Sequence, residues 1–354
     1  VTLVPGNRTN ETASTLVRPI LRNEFETNKR VRVEIVERKL QKAVKFCVVG
    51  CGALGGVIAA HLARLKDMEV YAYDISEEHV RAMRERGLRV SGAAEFTAKI
   101  LATTEAREIP PCDFGIFATK SAHTRAAIEQ TAHVFAAPGN GSGAVCSVQN
   151  GLGNEEAIAE RVRYVIRGAT TMAAHLIGPG HAGFEFYSDL WIGPFELSGT
   201  SYALVEQFAE ILNRSGLRVV PLRDARGAQW TKLIFNSAVN PVGALTRLHH
   251  GGATRFPSTG ALYEALLQEG ESVARALGIP LHGDARQMIA EGASAPGKRN
   301  VSMLLDILAK RETEVDFVNG AIADWGEKLG VPVPLNRAIW QLVKGLEHSW
   351  SDPS

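Results

Sequence analysis

From Lys45 onward, apolar residues come in short runs of strand length: Phe46–Val49, Val70–Tyr73, Phe114–Ala118 and Ala144–Val148. Stretches with helical apolar spacing, such as Val57–Leu65 and Glu77–Glu85, separate several of these runs. Strand, helix, strand at this spacing predicts a parallel sheet with crossover helices. After the second helix, GLRVSG and EFTAKILATT alternate like a hairpin, and GFEFYSDLWIGPFE predicts further strands. Beyond about Leu222 the period changes. Gln229–Asn240, Ala261–Leu277, Met303–Ala309 and Thr313–Leu329 carry apolar residues at helical spacing, and few strand-like runs remain. Gly278-Ile279-Pro280 and Gly330-Val331-Pro332-Val333-Pro334 read as helix stops. The pattern therefore predicts an α/β half followed by an all-helical half, with no internal repeat.

The first strand runs straight into Gly50, Gly52 and Gly55, spelling G-x-G-x-x-G between a strand and a helix. That is the context the dinucleotide-binding turn requires. The first glycine permits the tight turn, the second lets a pyrophosphate approach the backbone, and the third lets helix and sheet pack closely. The helix start then offers unpaired N–H groups and a positive dipole end to phosphates. Gly50, Cys51, Gly52, Ala53, Leu54 and Gly55 are thus candidate cofactor contacts, on a Rossmann-type domain expected over 44–222. Asp74 closes the second strand about 20 residues further on, where an acidic residue accepts hydrogen bonds from ribose hydroxyls and repels a 2′-phosphate. Read blandly, Asp74 is a helix-capping residue ahead of Glu77 and Glu78.

QWTKLIFNSAVNPVGAL carries the second signal. Lys232, Asn236 and Asn240 stand four apart and share one helix face. An ammonium and two amides in one row are costly to bury without partners. With Trp230 and Phe235 flanking, the row reads as the wall of a cleft in a helical domain over 223–354. Pro241 is expected to place Asn240 at a kink or at the helix end.

Composition changes this picture little. Of 354 residues, 45% are hydrophobic and 22% charged, the balance of a globular protein, and the net charge of +1 gives no field for nucleic acid or an anionic membrane. No apolar run reaches membrane-span length. Cys47, Cys51, Cys112 and Cys146 show neither metal nor disulfide spacing and read as buried reduced thiols of a cytoplasmic protein. Residues 1–43 lack sustained apolar periodicity and a signal-peptide core. They read as a poorly ordered extension, and the N-x-T triplets at Asn7 and Asn10 carry little meaning there.

Taken together, GCGALGG, ATKS at Ala118–Ser121, QNGLGN at Gln149–Asn154, WTKLIFNSAVNP, RNVSMLLDI and TEVDFVNG resemble the ketopantoate reductase (2-dehydropantoate 2-reductase) family, in the family's order and over roughly Lys45 to Val343. The resemblance implies a Rossmann-type domain followed by a helical one. It implies reduction of the 2-oxo group of ketopantoate to pantoate by NAD(P)H, a step of pantothenate biosynthesis. It assigns Lys232 as general acid, Glu314 as a supporting catalytic residue, and Asn236, Asn240 and Ser302 as substrate contacts. Lys120 and Asn150 fall beside the nicotinamide. Each has a plainer reading: Lys120 as a solvated lysine, Ser302 as a helix N-cap, Glu314 as the partner of Lys310.

In one respect the chain departs from the family, which usually places a basic residue after the second strand to meet the 2′-phosphate of NADP. Here Asp74 and Ile75 stand there, with Arg81 further on, so NADH is favoured over the family's NADPH. The expected partner is a small 2-oxo acid, with no nucleic acid or membrane; a homodimer is compatible. Two alternatives stay open: a reductase or dehydrogenase for another 2-oxo or 2-hydroxy acid, and a dinucleotide-sensing module without turnover.

Overall fold

A computed structural model of the chain describes residues 43–136, 143–294 and 300–351. All but the last residue of the 1–43 extension lies outside the described residues. The strands are β1 (Val44–Val49), β2 (Met68–Tyr73), β3 (Leu88–Gly92), β4 (Phe96–Ala98), β5 (Leu101–Thr103), β6 (Phe114–Phe117), β7 (Ala144–Ser147), β8 (Tyr164–Thr170), β9 (Ala173–Gly178), β10 (His181–Phe186), β11 (Asp189–Pro194) and β12 (Arg218–Pro221).

Eight of them form one sheet in the order β12-β11-β8-β7-β6-β1-β2-β5. β1, β6, β7 and β8 pair in parallel, β2 pairs with β5 in parallel, and β11 is antiparallel to β8. Every residue of β6 and β7 is buried, as expected of strands covered on both faces. On one face Phe208 of the Tyr202–Arg214 helix meets the rings of Phe46 and Phe114. On the other, Cys47, Val49 and Phe117 pack with Ile128 and Phe135 of the Thr124–Phe135 helix. A side chain at Gly115 would strike the Phe135 ring at 2.3 Å, so this glycine makes room for the aromatic. Strand order reverses at β1, with β2 on one side and β6 on the other, and ligands of such sheets collect at that crevice.

The alternating segments divide in a way the pattern does not predict. β3 and β4 do form an antiparallel pair, but β5 leaves for the large sheet. Likewise β10 joins the small sheet β4-β3-β10-β9, while β11 joins the large one.

From Arg226 onward the described residues are helical or irregular. The Arg226–Thr246 helix is the spine of this half. Its Leu233 and Ile234 are packed in one core with Leu266, Leu267, Ile322 and Ile339 of the helices around it. Trp230 belongs to this core and does not line a cleft as expected. The helix also runs through Pro241 to Thr246, so Asn240 lies within it and not at its end. A proline offers no N–H to the carbonyl four residues back. That carbonyl, of Ser237, accepts instead from Asn319 Nδ2 at 2.9 Å. The helix Pro334–His348 starts at the second proline of VPVP, a favourable first-turn position, where the sequence reads only as a stop. Lys45–Ser354 forms one compact unit, with no helix among the described residues long and apolar enough to cross a membrane.

Candidate active site

β1 gives way to Gly50, whose φ of +86° and close neighbours (a Cβ would sit 2.7 Å from the Thr119 nitrogen) leave no alternative to glycine. At Gly55 a Cβ would fall 2.0 Å from the Gly50 carbonyl oxygen and 3.0 Å from Ala118 Cβ. The protein's own packing explains these two. It does not explain Gly52, whose Cβ would meet nothing within 4 Å and whose backbone lines a cavity of about 1000 Å³. Gly52 is the N-cap of the Ala53–Leu62 helix, and no side chain caps that start. The turn therefore presents bare backbone and helix N–H groups to the cavity.

Gly50, Gly52, Ala53, Leu54, Asp74, Lys120 and Asn150 line this cavity, as do Lys232, Asn236, Asn240, Ser302 and Glu314. Cys51 and Gly55 are buried behind it. All four cysteines are buried free thiols. Burial raises the Cys51 thiol well above its usual range, with Asp74 adding to the rise.

Asp74 is turned toward the glycine turn. Its Oδ2 accepts from the Cys51 backbone N–H and its Oδ1 from that of Ser76, each at 3.0 Å. The N-cap of the next helix, Glu77–Arg86, is Ser76, whose hydroxyl accepts from His79 N–H at 3.3 Å; the capping reading of Asp74 therefore falls. Arg81 is exposed and does not line the cavity. Among the described lining residues the lysines are Lys120 and Lys232, and there is no arginine.

The helix row is arranged as its spacing predicts. Asn236 and Asn240 are buried, and Lys232 is partly so. Among the described residues no side-chain hydrogen bond or ion pair reaches any of the three, and all three line the cavity. Burial lowers the Lys232 ammonium from 10.5 to about 8, opposed by the nearby Glu314 carboxylate. Ser302 is the first residue of the helix Ser302–Leu308, whose N-cap is Val301; it lines the cavity, is exposed and does not cap that helix.

Glu314 is buried and bound to the sheet half, not to Lys310. Its Oε2 accepts from Asn150 Nδ2 at 2.9 Å and lies 3.7 Å from Lys120 Nζ, and Ser121 approaches Oε1 through N–H and hydroxyl, each at 3.3 Å. Lys120 also meets Asp306 Oδ2 at 2.7 Å. Burial pulls the Lys120 ammonium down, but Glu314 and Asp306 outweigh it and hold the pKa above its usual value. Lys120, although 41% exposed, is thus a bridge between the halves. Gln149 and Asn154 fix the loop around Asn150: Gln149 Nε2 donates to the Thr119 carbonyl at 3.0 Å and to Thr124 Oγ1 at 2.7 Å, and Asn154 Nδ2 donates to the Asn150 carbonyl at 3.0 Å. Sequence reasoning missed Asp306, although it stands one turn after Ser302, the same spacing that singled out the lysine row.

A glycine turn at a sheet's switch point and an unpaired lysine–amide row share one cavity. This defines an oxidoreductase of Rossmann type, with an α/β half and a helical half. Comparison with known proteins supplies the particular family. The family model described as "Ketopantoate reductase PanE/ApbA" matches residues 46–196, and that for its C-terminal part matches residues 224–347. The 2-dehydropantoate 2-reductase of Archaeoglobus fulgidus is 32% identical over 300 residues, covering 85% of this chain and 97% of that protein. That of Pyrococcus horikoshii is 30% identical over 305 residues, covering 86% and 98%. Among solved structures, a PanE/ApbA family ketopantoate reductase from Ralstonia eutropha JMP134 superposes with a TM-score of 0.78 at 29% identity, covering 87% of this chain and all of that one. D-mandelate dehydrogenase, solved with NADH and anilino(oxo)acetate, shares the fold with a TM-score of 0.79 at 24% identity, over 87% of this chain and 100% of that one. The chain belongs to the ketopantoate reductase family.

Proposed function

We propose that the chain reduces the 2-oxo group of ketopantoate to give pantoate, with residues 44–222 binding the dinucleotide and 223–354 presenting the substrate-binding groups. The observation that carries this reading is the row Lys232–Asn236–Asn240, lining the same cavity as the open Gly52 backbone with no protein side chain bound to it among the described residues. The cavity fits a dinucleotide: Gly52 leaves room for a pyrophosphate, and Asp74 offers a carboxylate where ribose hydroxyls would lie. Bound there, a reduced nicotinamide would supply the hydride.

The side chains do the rest. The Lys232 ammonium gives its proton to the oxygen of the former carbonyl and stabilises the negative charge developing there. Asn236, Asn240 and Ser302 hold the substrate's carboxylate and hydroxyl groups by hydrogen bonds from uncharged side chains. Glu314 favours the protonated lysine electrostatically, and through Asn150 and Lys120 it fixes the cofactor side of the cavity. For the cofactor itself we favour NADH, because Asp74 faces the turn and no described lysine or arginine near it is placed to meet a 2′-phosphate.

The test is an initial-rate assay of ketopantoate reduction with NADH and with NADPH, on the wild type and on Lys232→Ala. Losing a positioned acid should lower kcat by roughly 10²-fold or more, with dinucleotide affinity little changed. A variant within about twofold of wild type would assign the proton to another group. Faster turnover of another 2-oxo acid would keep the site and change the substrate.

A further inference from the structure

The row on the Arg226–Thr246 helix has a fourth member that the cavity does not use. Gln229 stands three residues before Lys232 on the same side of the helix. It is buried, and both ends of its amide are taken. Oε1 accepts from an Arg167 guanidinium N–H, and Nε2 donates to Glu155 Oε1 at 2.9 Å and weakly to the Gly151 carbonyl at 3.5 Å. Arg167 comes from β8, and its other terminal nitrogen donates to Glu196 at 2.8 Å. Gly151 directly follows Asn150, the donor to Glu314. One glutamine side chain therefore ties the first turn of the lysine helix to β8 and to the loop that carries Asn150.

The partners are themselves out of water: Glu155 is 1% and Arg167 5% exposed. Glu155 Oε2 and Arg167 Nε lack partners within the described structure. Apolar packing would hold a helix in place at less cost than a buried carboxyl and a buried guanidinium that meet only through one amide and each keep an open valence. Resting on the assignment of Lys232 as the acid, we propose that Glu155, acting through Gln229, is the positioning residue for Lys232, and that the Glu155–Arg167 couple sets how the lysine faces the cavity. With Glu155 ionised, both ends of the Gln229 amide have a defined partner. A protonated Glu155 becomes a donor itself, the amide loses its fixed orientation, and the first turn is released.

Burial pushes the Glu155 carboxyl up to about 7 against the pull of Arg167, so this exchange falls in the neutral range. The groups facing Glu155 are Arg167 from β8, Glu156 on its own helix, Gln229 from the lysine helix and the Cys146 thiol from β7; Glu196 and Asp224 act on Arg167 from its other side.

The test compares wild type with Glu155→Gln in two readouts. The first is kcat and KM for ketopantoate reduction across pH. The second is the pH dependence of Lys232 acylation by acetic anhydride, followed by peptide mass spectrometry, which needs no turnover. Misplacing the acid should lower kcat by about tenfold to 10²-fold while KM for the dinucleotide holds. The Lys232 acylation profile of wild type should show an inflection near pH 7 that Glu155→Gln lacks. Wild-type kcat and an unchanged acylation profile would overturn the proposal. Should Glu155→Gln fail to fold, Gln229→Met, of the same length but apolar, should show the same fall in kcat, and full activity there would overturn it equally. If the wild type does not reduce ketopantoate, the functional assignment fails, while the acylation profile still decides whether Glu155 governs the lysine.

Discussion

A lysine in water loses its proton around 10.5, whereas burial in the cavity brings Lys232 down to about 8. At about 1.36 kcal/mol per pKa unit, the cavity favours the neutral amine by about 3 kcal/mol relative to water. The donor must carry its proton for reduction. With Lys232 as the proposed acid, the rate of ketopantoate reduction, as kcat/KM, should therefore fall about tenfold per pH unit above about pH 8, while protonation of Glu155 sets any separate decline on the acid side of about pH 7. Oxidation of pantoate, which needs the neutral amine as base, should rise through the same range. Glu314 opposes the lowering, so Glu314→Gln should move the limb to lower pH. Because the substitution also disturbs Asn150 and Ser121, dinucleotide KM is measured beside it. The assay is the absorbance of the reduced nicotinamide at sub-saturating substrate, from about pH 6 to about pH 10. A limb close to the ordinary lysine value, or one unmoved by Glu314→Gln, would refute the reasoning.

Three further outcomes are expected. Gly52→Val should keep the fold and abolish dinucleotide binding, since its side chain enters only the cavity; Gly55→Val should also lower thermal stability, since its Cβ meets the Gly50 carbonyl. Near-normal cofactor affinity in a folded Gly52→Val protein, by titration, would count against a pyrophosphate there. Asp74→Ser should shift kcat/KM toward NADPH, because like charges about 4 Å apart repel by ~1 kcal/mol in water and ~4 kcal/mol near a protein surface; an NADPH preference in wild type that Asp74→Ser leaves unchanged would defeat this. Asn319→Ala strips the Ser237 carbonyl and Asn336 of a buried donor and should cost about 1–3 kcal/mol in denaturant unfolding.

The parts legible in the sequence were those that repeat at a fixed spacing. The glycine turn showed because three glycines interrupt an apolar strand ahead of a helix, and the lysine row because three polar groups recur every fourth residue. What stayed hidden depends on partners far away in the chain. Alternation identified the strands around Phe96 and Leu101 but could not say that one pairs with β3 and the other with β2. Trp230 borders the row in sequence, yet the helix turns it into the core. The proline rule placed a break at Asn240 because a distant asparagine, which no local rule sees, supplies the missing donor. Gln229 went unread for the same reason: its meaning lies with Arg167 and Glu155, each from another segment.

That distant donor also has a place in the order of synthesis. Ser237 and Asn319 are 82 residues apart, so a chain emerging from the ribosome at about 5–20 residues per second has made Lys232 and Asn236 seconds before the residue that lets their helix pass its proline. All three members of the row have their own backbone N–H partners four residues back; what waits for the later helices is a donor for the Ser237 carbonyl. A product cut short before Asn319 would thus carry the glycine turn and the whole lysine row, but with a buried carbonyl left without a donor beside the proline of that helix.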